Sequence, residues 1–223
     1  MLETDLSLRA EIPLYYDLFI PENHAGSAPL LIAAHGYGAH KRYMMREAQA
    51  VAPENFVIAS VQAPHQHFRK TEDGYRVGFG WLTDFRPDES VELHQKFLLG
   101  LIEKLGRDNV IDQSDISLFG FSQACALNFR FAFTYQDVLK NLIGVCGGIP
   151  GDLDENPNYA GSSVNTFYLY GNNDEFYTNE KFRDNEQKLR SWLPNLTAKQ
   201  YDAGHEIMDE MRFDIKEFLS KSE

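Results

Sequence analysis

Cysteine is scarce. The 223 residues hold two, Cys125 and Cys146, each inside an apolar stretch where a small hydrophobe serves equally well. That excludes a disulfide framework and a cysteine-rich zinc site. Basic charge is also short: 21 Lys and Arg stand against 33 Asp and Glu, for a formal net charge of −12. A chain of this sign is repelled by phosphate backbones and anionic leaflets, so nucleic-acid and membrane-surface roles fall away. No apolar run approaches the ~20 residues that span a bilayer. The start, Met1-Leu2-Glu3-Thr4-Asp5, lacks the basic and apolar regions of a secretory leader. P-loop, G-x-G-x-x-G and EF-hand patterns are missing too, as are internal repeats and Pro/Ser-rich linkers. The expectation is a soluble, cytoplasmic protein without nucleic-acid or integral membrane partners and without a cofactor, with a homodimer left open.

What remains is a globular composition, 43% apolar and 24% charged, over a length that fits one domain, residues 1–223. Short β-branched and apolar runs at residues 29–36, 57–61, 116–120, 142–146, 166–170 and 198–201 alternate with segments of helical period. This predicts an α/β fold, a mostly parallel central sheet with helices on both faces. Residues 6–11 and 14–20, split by Pro13 and closed by Pro21, read as an opening hairpin. Between Ser90 and Leu105 the apolar positions Val91, Leu93, Phe97, Leu98, Leu101, Ile102 and Leu105 mark an amphipathic helix. Ile207, Met208, Met211, Ile215, Phe218 and Leu219 mark another at the end, and a further helix starts near Lys41. Residues 124–133 are apolar almost all round, as in a buried central helix. Residues 65–89 break the alternation with mixed aromatics and charges. A connection of about 25 residues far exceeds the ~2–6 usual in α/β units, which suggests a substrate loop with Phe79, Trp81 and Phe85 holding an apolar group.

One strand, ending at Gly120, runs directly into Phe121-Ser122-Gln123-Ala124 and the apolar helix. Small residues two positions either side of Ser122 let strand and helix backbones cross closely and expose the hydroxyl at a helix N-terminus. G-x-S-x-[GA] alone is a weak pattern, so its surroundings decide. A serine needs a base, a group to orient that base, and donors for the oxyanion that forms. His205, in Asp202-Ala203-Gly204-His205-Glu206, follows the last strand and is the best base among seven histidines. Asp174, in Gly171-Asn172-Asn173-Asp174-Glu175, follows the preceding strand and can fix the histidine tautomer. Gly-Asn-Asn-Asp is also strong turn chemistry, and Glu175 and Asp152 are rivals for the role. Backbone N–H groups of Gln123 and of Tyr37, in the turn His35-Gly36-Tyr37-Gly38, are the candidate oxyanion donors. A metal site at His65-Gln66-His67 is disfavoured because no third or fourth ligand accompanies it. His24, His40 and His94 read as surface or packing residues.

Together these residues resemble the α/β-hydrolase superfamily, and within it the phospholipase/carboxylesterase group that includes acyl-protein thioesterases. The resemblance runs from about Pro29 to Leu219 and rests on four motifs. They are His35-Gly36-Tyr37-Gly38, Gly120-Phe121-Ser122-Gln123-Ala124, Gly171-Asn172-Asn173-Asp174 and Gly204-His205-Glu206. The elbow departs from the group's pattern only in tolerating Ala124 for glycine. Trp81-Leu82 and Asp84-Phe85 are similar to the group's tryptophan-bearing substrate loop. The resemblance implies a serine hydrolase that cleaves small-molecule carboxylic esters, with thioesters as a variant, through an acyl-enzyme on Ser122, His205 and Asp174. Dienelactone hydrolases share the fold with a cysteine nucleophile, but here serine occupies the elbow. Two alternatives stand beside it: a hydrolase-fold protein that binds a ligand without turnover, and, among enzymes, a lysophospholipase or acyl-protein thioesterase.

Overall fold

The computed structural model describes residues 1–22, 24 and 26–221. Its centre is a seven-stranded sheet built from β1 (Tyr16–Phe19), β2 (Ala28–Ala34), β3 (Val57–Val61), β6 (Ile111–Phe121), β7 (Asn141–Val145), β8 (Asn165–Gly171) and β9 (Leu196–Tyr201). The spatial order is β1-β3-β2-β6-β7-β8-β9. Every neighbouring pair is parallel except β1 with β3. β2, β3 and β7 are apolar runs because both faces of the sheet are covered. Successive side chains enter opposite layers, as the two-residue strand period requires. In β2, Leu30, Ile32 and Ala34 join one core, while Leu31 and Ala33 join the other. α2 (Pro87–Arg107), α3 (Gln123–Thr134) and α4 (Asn179–Trp192) supply the first core. α1 (Lys41–Val51) and α5 (Asp209–Ser220) supply the second. The mostly parallel sheet sandwiched by helices is the α/β architecture that the alternating pattern predicts.

The opening hairpin does not form. Residues 1–15 carry no strand, and Leu6 and Leu8 lie exposed. β1 instead pairs antiparallel with β3, Tyr16 opposite Val61. The open edge of β3 offers a ladder already fixed by packing, whereas Leu6 and Leu8 gain no burial where residues 6–11 lie. Residues 65–89, the expected substrate loop, contain regular structure. They hold a separate antiparallel hairpin, β4 (His65–Thr71) and β5 (Gly74–Gly80), followed by the first turn of α2. Its reversal at Glu72-Asp73 closes on Gly74 at φ +118°, where a side chain would be strained.

α4 has no counterpart among the expected helices. Its buried residues, Phe182, Asn185 and Leu189, form a narrow stripe on an otherwise polar segment. Its Thr178 hydroxyl caps the first turn by accepting from Lys181 N. α5 starts at Asp209, two residues later than its apolar stripe, because Met208 is the cap and Asp209 and Glu210 fill the first turn. Among the described residues, no helix is long and apolar enough to cross a membrane.

Candidate active site

Parallel strands align their carboxyl ends, so the segments that leave β2, β6, β7, β8 and β9 gather at one edge. Ser122 leaves β6 with φ 54° and ψ −117° and caps α3. This strained turn is rare for a residue with a side chain. Neighbouring contacts hold it. Ser122 N donates to Val145 O at 2.9 Å, and Cys125 N donates to Ser122 O at 3.0 Å. Small residues are obligatory around it. A methyl on Gly120 would stand 2.6 Å from Asn128 Nδ2, and one on Gly36 would stand 3.0 Å from Ser122 Cβ. Gly147, which sequence reasoning passed over, is as constrained, since a methyl there would overlap Ser122 O and Cys125 Sγ.

The three side chains singled out from the sequence come together. His205 Nε2 lies 2.9 Å from Ser122 Oγ, and His205 Nδ1 lies 2.8 Å from Asp174 Oδ2. The other carboxylate oxygen, Oδ1, accepts from Phe176 N at 2.8 Å and Tyr177 N at 3.1 Å. The Asn-Asn-Asp turn and the carboxylate acceptor are therefore one structure. A carboxylate that only accepts places the histidine proton on Nδ1 and leaves the Nε2 lone pair facing the serine hydroxyl. Asp174 is buried and its side chain has no exposed surface, while the His205 side chain keeps 14%. The rivals are engaged otherwise: Asp152 pairs with Arg130 at 2.6 Å, and Glu175 is exposed.

Cys146 Sγ shares this neighbourhood, its ligand atom within 4.8 Å of those of Asp174 and His205. Burial pushes its thiol up to about 12, so it stays a neutral S–H packed behind the pair. Cys125 is buried with its thiol pushed higher still. His65 bonds Ser90 Oγ, and His67 stacks on Tyr37 with ring centroids 4.5 Å apart.

A cavity of about 380 Å³ opens beside Ser122, walled by Tyr37, Tyr43, Phe121, Phe176 and Tyr177. Phe176 meets the His205 ring edge-on at 4.7 Å. The aromatic residues expected to hold substrate do not line this cavity. Trp81 is fully buried and donates from Nε1 to His35 O at 2.7 Å, because an indole gains most when its body is buried and its N–H partnered. Phe79 is half-buried and packs against the core. Phe85 is exposed beside a different groove with Arg86 and Glu89. The aromatic walls that sequence reading missed had a local signal, since Phe176-Tyr177 stands two residues after Asp174. A larger groove of about 720 Å³, lined by Arg130, Asp152, Glu155 and Tyr159, excludes both Ser122 and His205.

The sheet order, the strained serine turn and the helices on both faces define the α/β-hydrolase fold. More narrowly, the chain belongs to the phospholipase/carboxylesterase family, whose profile matches residues 17–223, and it is a hydrolase of that group. Solved structures with the same fold are distant in sequence. The carboxylesterase of Bacillus cereus is 17% identical with a TM-score of 0.73, covering 94% of this chain and 95% of that one. A phospholipase/carboxylesterase from Dyadobacter fermentans is 15% identical with a TM-score of 0.71, covering 93% and 97%. Acyl-protein thioesterase 2 of Zea mays is 16% identical with a TM-score of 0.71, covering 93% and 98%.

Proposed function

We propose that the protein hydrolyses carboxylic esters of small molecules through an acyl-enzyme on Ser122. The observation that carries this reading is the continuous chain from Ser122 Oγ through the His205 ring to Asp174, closed at 2.9 and 2.8 Å. His205 Nε2 takes the serine proton as Oγ bonds to the acyl carbon, then returns it to the departing alkoxide. Water deacylates the enzyme by the reverse exchange. Asp174 keeps the ring in one tautomer and stabilises the imidazolium. The tetrahedral oxyanion is held by the N–H of Gln123, in the first turn of α3 and without a partner inside the helix, and by that of Tyr37.

The aromatic walls favour a compact aryl or short acyl group, and 380 Å³ falls at the small end of the ~300–1,000 Å³ typical of ligand cavities. A thioester fits the same chemistry, because the departing thiolate needs less protonation. Ligand binding without turnover is disfavoured, since a binding site gains nothing from a histidine aligned with both serine and carboxylate. The test is hydrolysis of p-nitrophenyl acetate by the wild type and Ser122→Ala. The expected result is a rate falling to that of the buffer. Unchanged hydrolysis by the variant overturns the reading, and a p-nitrophenyl chain-length series should peak at short acyl groups.

A further inference from the structure

We infer that the buried His35 imidazole is a positioning residue for oxyanion binding, orienting and polarising the one peptide unit whose N–H belongs to Tyr37. The inference rests on the ester-hydrolase reading above. Gly36 C=O and Tyr37 N–H are two ends of the same rigid peptide plane, so whatever fixes the carbonyl aims the N–H. His35 Nδ1 lies 2.7 Å from Gly36 O.

The neighbours determine which ring nitrogen carries the proton. Lys41 N, opening α1, donates to Gln62 Oε1 at 3.1 Å, which turns the Gln62 amide nitrogen toward the ring. Gln62 Nε2 then lies 2.8 Å from His35 Nε2, and Ala63 N donates to the same ring nitrogen at 3.1 Å. With two donors converging, Nε2 must accept and Nδ1 must hold the hydrogen. The ring therefore donates to Gly36 O, and it stays neutral because burial lowers its pKa to about 4. Ala39 N adds a second donor to that oxygen at 3.3 Å. Trp81 Nε1 fixes the preceding peptide through His35 O.

Donors gathered on the Gly36 carbonyl draw electron density toward it and strengthen the N–H at the other end, the cooperative effect of hydrogen-bond chains. The chain runs from the α1 N-terminus through the ends of β3 and β2 to the candidate oxyanion site. His35 touches no substrate in this arrangement and acts only through the Gly36–Tyr37 peptide.

The experiment compares His35→Leu, His35→Asn and His35→Gln on p-nitrophenyl acetate, with Ser122→Ala as the control for the underlying reading. An Asn amide reaches the position of Nδ1, whereas a Gln amide reaches only that of Nε2. The Leu and Gln variants should lose kcat by roughly 10- to 100-fold, less than the ~10²–10³ lost when an oxyanion donor is deleted, with KM nearly unchanged. The Asn variant should recover most of kcat. If Leu does not fold, the Asn-against-Gln difference decides alone, thermal melting having shown both folded. Wild-type kcat in a folded Leu or Gln variant, or an Asn variant no better than Gln, overturns the inference. If Ser122→Ala keeps activity, the ester-hydrolase reading fails instead, so the two failures are distinguishable.

Discussion

Ser122 sits in a conformation that almost no side chain tolerates, and its neighbours show what that geometry requires. Gly147 carries no chemistry, yet any larger residue there would press on Ser122 O and Cys125 Sγ. Gly147→Ala should therefore cut kcat by at least about tenfold and destabilise the fold by ~1–3 kcal/mol, the usual cost of overpacking. A urea melt beside steady-state kinetics checks both, and an unchanged kcat would show that the elbow can shift. Asp174→Asn tests the tautomer argument, because an amide can donate to Nδ1 and turn the proton to the wrong nitrogen. The proposed role of Asp174 predicts a loss approaching ~10⁴ in kcat, the cost of the same Asp-to-Asn change in a serine protease. At this scale the sequence was informative where residue type alone dictates chemistry. The serine, histidine and carboxylate were visible because each stands just after a strand. Gly147 and the Phe176 and Tyr177 walls were not, since their importance comes from what other segments bring against them.

The hairpin β4–β5 shows how an element acts through its connections. Gly38 N donates to Phe79 O at 2.8 Å, and Trp81 N donates to Gln123 Oε1 at 2.8 Å. The Gln123 amide in turn donates to Leu82 O at 3.2 Å. One short segment at the end of β5 thus braces both turns that bear the proposed oxyanion donors. Trp81→Phe keeps an aromatic ring but leaves His35 O without the indole donor. The expected cost is ~1–3 kcal/mol of stability for an unpaired buried group, with kcat lowered and KM held. A raised KM for aryl esters at constant kcat would mean instead that Trp81 contacts substrate. The buried strands were legible as short apolar runs. The hairpin was not, because its charged and aromatic residues alternate without a continuous apolar face. α4 was hidden for a related reason, its packing stripe being too narrow to stand out.

Across the whole molecule, two histidines are buried where they cannot readily accept a proton. Burial lowers His35 to about 4 and His94, packed edge-on against Trp81, to about 3. Their unfolded counterparts titrate near ~6.5. Between these values the unfolded chain binds more protons, so stability is fully present above about pH 6.5 and falls as pH drops toward 4. Each histidine steepens that fall by up to ~1.4 kcal/mol per pH unit. Urea unfolding of His94→Leu should show a shallower decline between pH 6 and about 4, and a slope equal to wild type would contradict the assignment. The central claim, an activated serine at the sheet's carboxyl edge, is tested most directly by exposing the protein to a fluorophosphonate and weighing it intact. One adduct per chain is expected, mapping to Ser122, absent in Ser122→Ala and slowed by ~10²–10⁴-fold in His205→Gln, the range for loss of a general base. An unlabelled wild type, or an adduct that survives in Ser122→Ala, would contradict it.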